Sequence, residues 1–182
     1  MIISTALLMR ERGARATSID DVLAHSGAAR GSVYHHFPGG RDELLREATA
    51  YAGEYVARRL ERVASDPDPL AAFDVFLAGY REQLLAGDLR DGCPLVAVAI
   101  EHRQDGDRAL QDLAGRVFER WQALLAKAFI AAGIPEARAP GLATMAISGL
   151  EGALVLARAQ HSVEPLDRVR EQLRALLQAE RR

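Results

Sequence analysis

The chain has 182 residues, 23 Lys and Arg against 25 Asp and Glu, and a formal net charge of −2. Its 49% hydrophobic content excludes a disordered chain, and the single cysteine, Cys93, excludes an internal disulfide framework. No basic leader with an apolar stretch opens the sequence, so a cytoplasmic protein is expected; the near-neutral charge, taken alone, argues against a nucleic-acid partner.

Apolar residues recur at three- and four-residue spacings, with Ala, Leu, Arg and Glu between them, and alternating strand patterns are nearly absent. The spacing predicts an all-α fold of about nine helices. The first covers 2–12 and stops at Gly13. Ser18 caps a second, 18–25, with Asp20 and Asp21 in its first turn where carboxylates favour the helix dipole. Ser26-Gly27 breaks it, a third runs over 29–36, and Pro38-Gly39-Gly40 ends that one. A long fourth helix covers 41–64, and Asp66-Pro67-Asp68-Pro69 stops and restarts the chain. Further helices are predicted over 70–85, 94–102, 108–132, 140–160 and 165–179. The compositional seam falls near residue 45, inside the fourth helix.

Residues 18–36 read as two short helices around a Gly-containing turn, a helix-turn-helix pattern. On the second of these, Val33 and Phe37 are four apart and pack inward. Arg30, Gly31, Ser32, Tyr34, His35 and His36 are left for the outer surface. No carboxylate occurs from Ser26 to Arg41, as expected of a surface that faces phosphates. Arg30 has the donors to reach a guanine edge, and Ser32 a base or phosphate. Gly31 allows close backbone approach, and Tyr34 and His36 have the length for phosphate oxygens. Residues 1–47 hold six Arg and six acidic residues, so net charge averages over a locally basic face.

The run Thr17-Ser18-Ile19-Asp20-Asp21-Val22, Gly27, Gly31-Ser32-Val33-Tyr34-His35-His36-Phe37 and Arg41-Asp42-Glu43-Leu44 closely resembles the DNA-binding signature of the TetR/AcrR family of regulators. Gly92-Cys93-Pro94, Trp121, Glu151-Gly152-Ala153-Leu154 and the lengthened Phe37-to-Arg41 connection look like its LmrA/YxaF-type subgroup. The resemblance implies an N-terminal three-helix DNA-binding domain over 1–47 and a helical ligand-binding and dimerisation bundle over 48–182. It implies DNA contacts for Ser18, Arg30, Ser32, Tyr34 and His36. Arg41 matches a Lys that usually touches the DNA backbone, a replacement that keeps charge and changes geometry. The first helix begins almost at residue 1, so the basic extension of many relatives is not seen. The implied function is repression: a homodimer on a palindromic double-stranded operator, released by a small, mostly apolar ligand.

The effector site is expected among aromatics of the middle helices. Phe73, Phe76 and Tyr80 share one helical face, and Phe118 and Trp121 share another; His102 and Met145 are second-rank candidates. Glu151 either has a structural role, with Arg158 on its face, or lines the pocket. The 140–157 segment carries one charge, Glu151, and is rich in Gly and Ala. It reads as a helix covered on both faces rather than a membrane span. Helices 140–160 and 165–179 are expected to form the dimer interface. Cys93 reads as a buried, inert thiol. No metal-ligand spacing, nucleophile elbow or phosphate loop is present, so neither a cofactor nor an enzymatic activity is expected. The alternative is a helical small-molecule-binding protein without DNA-binding activity.

Overall fold

The computed structural model describes residues 1–101 and 108–181. His102, named above as a ligand candidate, lies outside them. The described residues form nine helices and no strand: α1 Ile2–Arg12, α2 Ile19–Ser26, α3 Arg30–His36, α4 Gly40–Ala64, α5 Pro69–Ala86, α6 Pro94–Ile100, α7 Ala109–Ala131, α8 Ala139–Gln160 and α9 Glu164–Glu180. They divide into two compact units, Met1–Tyr55 with Gly92–Val117, and Val56–Asp91 with Phe118–Arg182. Helices α4 and α7 each have residues in both.

In the first unit, α1 to α4 close on a small core of Leu8, Val22, Phe37 and Leu44, with Met1 and Ile2 packed against it. Local signals set the helix ends. Ser18 Oγ accepts from the Asp21 backbone N–H (3.1 Å), while the Ser18 backbone N–H donates to Asp21 Oδ2 (3.1 Å), a reciprocal cap on α2. Gly27 ends α2 in the left-handed region (φ 68°), which a residue with a Cβ adopts only at a cost. Gly40 (φ 64°) makes the equivalent turn into α4, where the Gly39 N–H donates to Glu43 Oε2 at 2.7 Å. Helix α6 packs on α1 within this unit. The Gly92 N–H donates to the Arg10 carbonyl (2.9 Å), and the Arg15 N–H to Glu101 Oε1 (3.0 Å). Cys93, at the N-terminus of α6, is half-buried rather than buried as expected.

The second unit packs α9 against α5 and α8. Helix α8 buries Leu142, Ala146, Ile147, Leu150, Ala153 and Leu154 along one side. At Gly149 an added Cβ would lie 3.2 Å from Val169 Cγ1, so the small residue permits the close approach of α9. The opposite side of α8 exposes Gly141, Met145, Ser148, Gly152, Val155 and Leu156. By length and composition α8 could cross a membrane (mean hydropathy 1.4), yet one whole face of it is buried within this unit. Asp74 of α5 accepts from both Arg170 and Arg174 of α9, and Arg81 donates to Asp167. The hydrogen bond from Arg170, more than that from Arg174, holds the Asp74 carboxyl below its usual range against a burial effect that pushes it up.

Candidate functional site

Helix α3 is only seven residues long, too short to persist alone. It is held by its inward side: Val33 is fully buried and Phe37, just past its end, nearly so. That anchoring turns the rest of the helix outward. Arg30, Gly31, Tyr34, His35 and His36 are exposed, Tyr34 to 59%, and Ser32 is half-buried. The His35 and His36 rings meet edge to face with centroids 4.9 Å apart. A large phenol in open solvent beside two imidazoles and a guanidinium is a donor-rich surface with little apolar content. It suits phosphates and base edges.

Not every candidate on this surface has free donors. Ser18 Oγ donates to Asp21 Oδ2 (2.5 Å), so its proton is committed to the α2 cap. The same hydrogen bond is the main reason the Asp21 carboxyl titrates below its ordinary range. Ser32 Oγ donates to the Ala29 carbonyl at 2.6 Å, closing the first turn of α3. Arg41 is the most constrained. Its Nε donates to the Thr17 carbonyl (2.8 Å) and its Nη2 to those of Ala14 (2.6 Å) and Arg15 (3.1 Å). One planar guanidinium thus ties the connection between α1 and α2 to the start of α4, a task that a lysine's point charge performs less well.

Gly31 is open in a different sense. A Cβ built there would meet nothing within 4 Å, so packing within the chain does not require glycine. Asp20 was not among the sequence candidates and joins the surface from α2. Its Oδ1 accepts from Arg30 Nη2 at 2.5 Å. The acid-free stretch from Ser26 to Arg41 therefore has a carboxylate of α2 brought against its Arg30 by the fold.

In the second unit, Phe73, Phe76, Tyr80, Trp121 and Glu151 line one cavity together with Val56 and Leu60 of α4. Phe73 stacks on Phe76 and meets Phe129 edge to face, and Phe76 meets Tyr80 edge to face. The cavity is closed down to about 10 Å³, room for one water at most. Two candidates stand off it. Phe118 packs edge to face on Trp121 without lining the cavity, and Met145 is exposed on the outer side of α8. Arg59, absent from the sequence candidates, places its guanidinium carbon 4.7 Å from the Phe76 ring centroid and 5.6 Å from that of Tyr80. A second, open groove of about 230 Å³ runs along the paired Asp74, Arg170 and Arg174. Among the described residues no group of three or more His, Cys, Asp or Glu is arranged to hold a metal.

Residues 2–48 match the family described as bacterial regulatory proteins of the tetR family. Residues 69–172 match the C-terminal domain described as LmrA/YxaF-like transcriptional regulator. The uncharacterized HTH-type transcriptional regulator Rv0196 of Mycobacterium tuberculosis is 52% identical over 184 aligned positions, spanning 99% of this chain and 93% of its own. The HTH-type transcriptional regulator YxaF of Bacillus subtilis is 29% identical across 93% of this chain and 89% of its own. A crystal structure of a TetR transcriptional regulator from Legionella pneumophila superposes with a TM-score of 0.82 at 20% identity, covering 94% of this chain and 92% of that one.

Proposed function

The chain belongs to the TetR family of DNA-binding transcriptional regulators, and from that premise we propose that it is a cytoplasmic repressor, a homodimer on a palindromic operator that a small, mostly apolar ligand releases. Regulators of this kind are not enzymes, and no cofactor or membrane enters the mechanism. Residues 1–47 are the DNA-binding domain of this reading, and 48–182 the ligand-binding and dimerisation domain.

The observation that carries it is the outward side of α3. Arg30, Tyr34, His35 and His36 are held in the open by a helix anchored through Val33 and Phe37. Gly31 lies on that side with no internal reason to be glycine. Glycine in mid-helix costs about 0.5–1 kcal/mol relative to alanine, and Gly31, in the first turn of α3, bears up to that cost. A duplex lying against that point compensates for it. Arg30 reads a base edge in the major groove, Tyr34 and His36 bind phosphates, and His35 adds a contact at the rim, where Ser32, its proton given to the Ala29 carbonyl, offers only an acceptor. Ser18 and Arg41 serve the surface chiefly by shaping it, since the Ser18 hydroxyl proton and Arg41 Nε and Nη2 are committed within the chain.

Dimerisation uses α8 and α9. The exposed side of α8 is apolar and small, from Gly141 through Met145, Ser148 and Gly152 to Val155 and Leu156. A second copy of the same side covers it with two-fold symmetry. The effector enters the cavity of Phe73, Phe76, Tyr80, Trp121 and Glu151, where aromatic rings suit a planar, weakly polar molecule. Ligand sites typically need about 300 Å³ or more, so binding has to spread these side chains. Val56 and Leu60 of α4 line the cavity, and α4 begins at Gly40, whose backbone lies beside the Tyr34 ring. Displacement of α4 is the route by which ligand shifts the population away from the DNA-competent dimer, and the coupling is reciprocal.

The test selects duplexes from a random pool and titrates the selected one, fluorescently labelled, with a panel of planar aromatic compounds. Trp121 is the chain's single tryptophan, so its emission reports entry into the cavity. The expected result is that compounds which change Trp121 emission also lower operator affinity. A compound that saturates the Trp121 signal and leaves operator affinity untouched contradicts the coupling.

A further inference from the structure

We propose that Asp20 is a specificity-determining residue of the DNA interface: it holds the Arg30 guanidinium toward a guanine edge and away from the phosphate backbone. The proposal rests on the reading in which α3 enters a DNA groove.

The juxtaposition that carries it spans two helices. Asp20 is in the first turn of α2 and Arg30 opens α3, and Asp20 Oδ1 accepts from Arg30 Nη2 at 2.5 Å. Neither usual explanation of such a pair applies. Both side chains are about 70% exposed (72% for Arg30, 69% for Asp20), and an ion pair in open solvent adds little to stability. Nor does α2 require the Asp20 side chain as its cap, because Asp21 performs that reciprocal hydrogen bonding with Ser18. Its place in the first turn of α2 favours the helix dipole, a role that Asp21 shares and that needs no partner on α3; paired with Arg30, it is a carboxylate on the surface that meets phosphates in the proposed function, where it costs attraction to every duplex alike.

That cost has a use. A lone arginine on a recognition helix has two competing targets, the guanine O6/N7 edge and the nearest phosphate, and its long side chain reaches either. Asp20 engages one terminal nitrogen from the α2 side and narrows the directions open to the rest. No other acceptor among the described residues holds Arg30, so its remaining N–H groups stay available for a base. The pair thereby reads one G·C pair from a fixed position and repels registers that bring a phosphate to that point. The acid is thus placed to trade general affinity for discrimination.

The experiment uses the full chain and fluorescence anisotropy at one fixed salt concentration. The wild-type protein is first used to select an operator. Wild type, Asp20→Asn, Arg30→Ala and the double variant are then measured on the operator, on operators with single G·C to A·T changes, and on a scrambled duplex. Thermal unfolding checks that the exposed pair has not altered the fold. Arg30→Ala is expected to lose discrimination at one base pair per half-site. Asp20→Asn is expected to lose about fivefold or more of the discrimination at that same pair, while binding the scrambled duplex more tightly. Once Arg30 is alanine, adding Asp20→Asn changes discrimination no further. If Asp20→Asn tightens all duplexes equally and keeps wild-type discrimination, Asp20 is only a local repulsive charge and the proposal fails alone. If Arg30→Ala leaves every base preference intact, the base-reading role of Arg30 fails and the proposal with it.

Discussion

The outer surface of α3 and the aromatic cavity of the second unit are built in opposite ways. On α3, two anchors, Val33 and Phe37, are buried and the candidate contact groups stand in the open. In the cavity the candidate contact groups are themselves the core: Phe73, Phe76, Tyr80 and Trp121 are all at least 92% buried and leave about 10 Å³ between them. The first surface needs no rearrangement for the contacts proposed for it. The second must be opened, and the same side chains that would bind a ligand hold the unit together. Substitution on α3 should therefore damage binding and spare folding, and substitution at the cavity should do both.

The largest effect that sharpens this contrast is expected at Phe129, which is fully buried and meets Phe73 edge to face. Phe129→Ala is expected to cost about 3–5 kcal/mol in urea unfolding through lost burial and a residual cavity. A cost below about 1 kcal/mol would mean that the aromatic region readily collapses into the gap, against the close packing described. Next comes Arg41, which lies beside the proposed DNA surface yet holds backbone carbonyls of its own chain. Arg41→Ala is expected to lower stability by about 1.5–3 kcal/mol, the range for hydrogen bonds to a charged group. Arg41→Lys should restore only part of it, because an ammonium does not fork across the Ala14, Arg15 and Thr17 carbonyls. Full restoration by lysine would break the contrast and return Arg41 to the role of a phosphate-facing charge.

Acid probes the second unit apart from α3. The Asp74 carboxyl sits below its usual value of 3.8 because Arg170 and Arg174 donate to it. A lowered folded value means the contribution is complete above 3.8 and is lost as pH falls through the folded value. The difference in melting temperature between wild type and Asp74→Asn should thus be greatest near neutrality and shrink as acid protonates Asp74. A constant difference would remove the pair from the α5–α9 linkage.

The smallest effects on folding are expected on α3 itself. Gly31→Ala should leave stability unchanged or raise it by up to about 1 kcal/mol, since the new Cβ meets nothing. DNA binding should nonetheless weaken. A variant that gains stability and keeps full affinity would show that no duplex backbone comes close there. Tyr34→Phe should not change melting, and it should weaken binding to every duplex by a similar factor, about three- to tenfold for one lost hydrogen bond.

Much of the fold could be read from the chain because its punctuation is local. Ser18 with Asp21, Gly27, Gly40, Pro69, Pro94 and Pro165 act within a turn or two of themselves, and the nine predicted helices end within two residues of those observed wherever the ends are described. The inward side of α3 was readable for the same reason, from one four-residue spacing. What escaped depends on residues far apart in sequence. Arg41 reaches carbonyls 24 to 27 positions away. Asp20 meets Arg30 across a turn, and Arg59 of α4 lies over rings of α5. Helix α6 packs on α1 in the first unit, although its sequence is as apolar as a second-unit core segment. Charge and aromatic content state which groups a chain has, and only the tertiary path states which of them are already occupied.

In the proposed function, α3 is a finished DNA-reading surface presented twice by a symmetric dimer. Selection from a random duplex pool, followed by the stoichiometry of the selected complex, tests this directly. The expected result is an inverted repeat whose half-sites lie about 34 Å apart or a multiple of it, bound by an even number of chains, with affinity falling steeply as salt rises. A site without two-fold symmetry bound by one chain, or no enriched sequence at all, would contradict it.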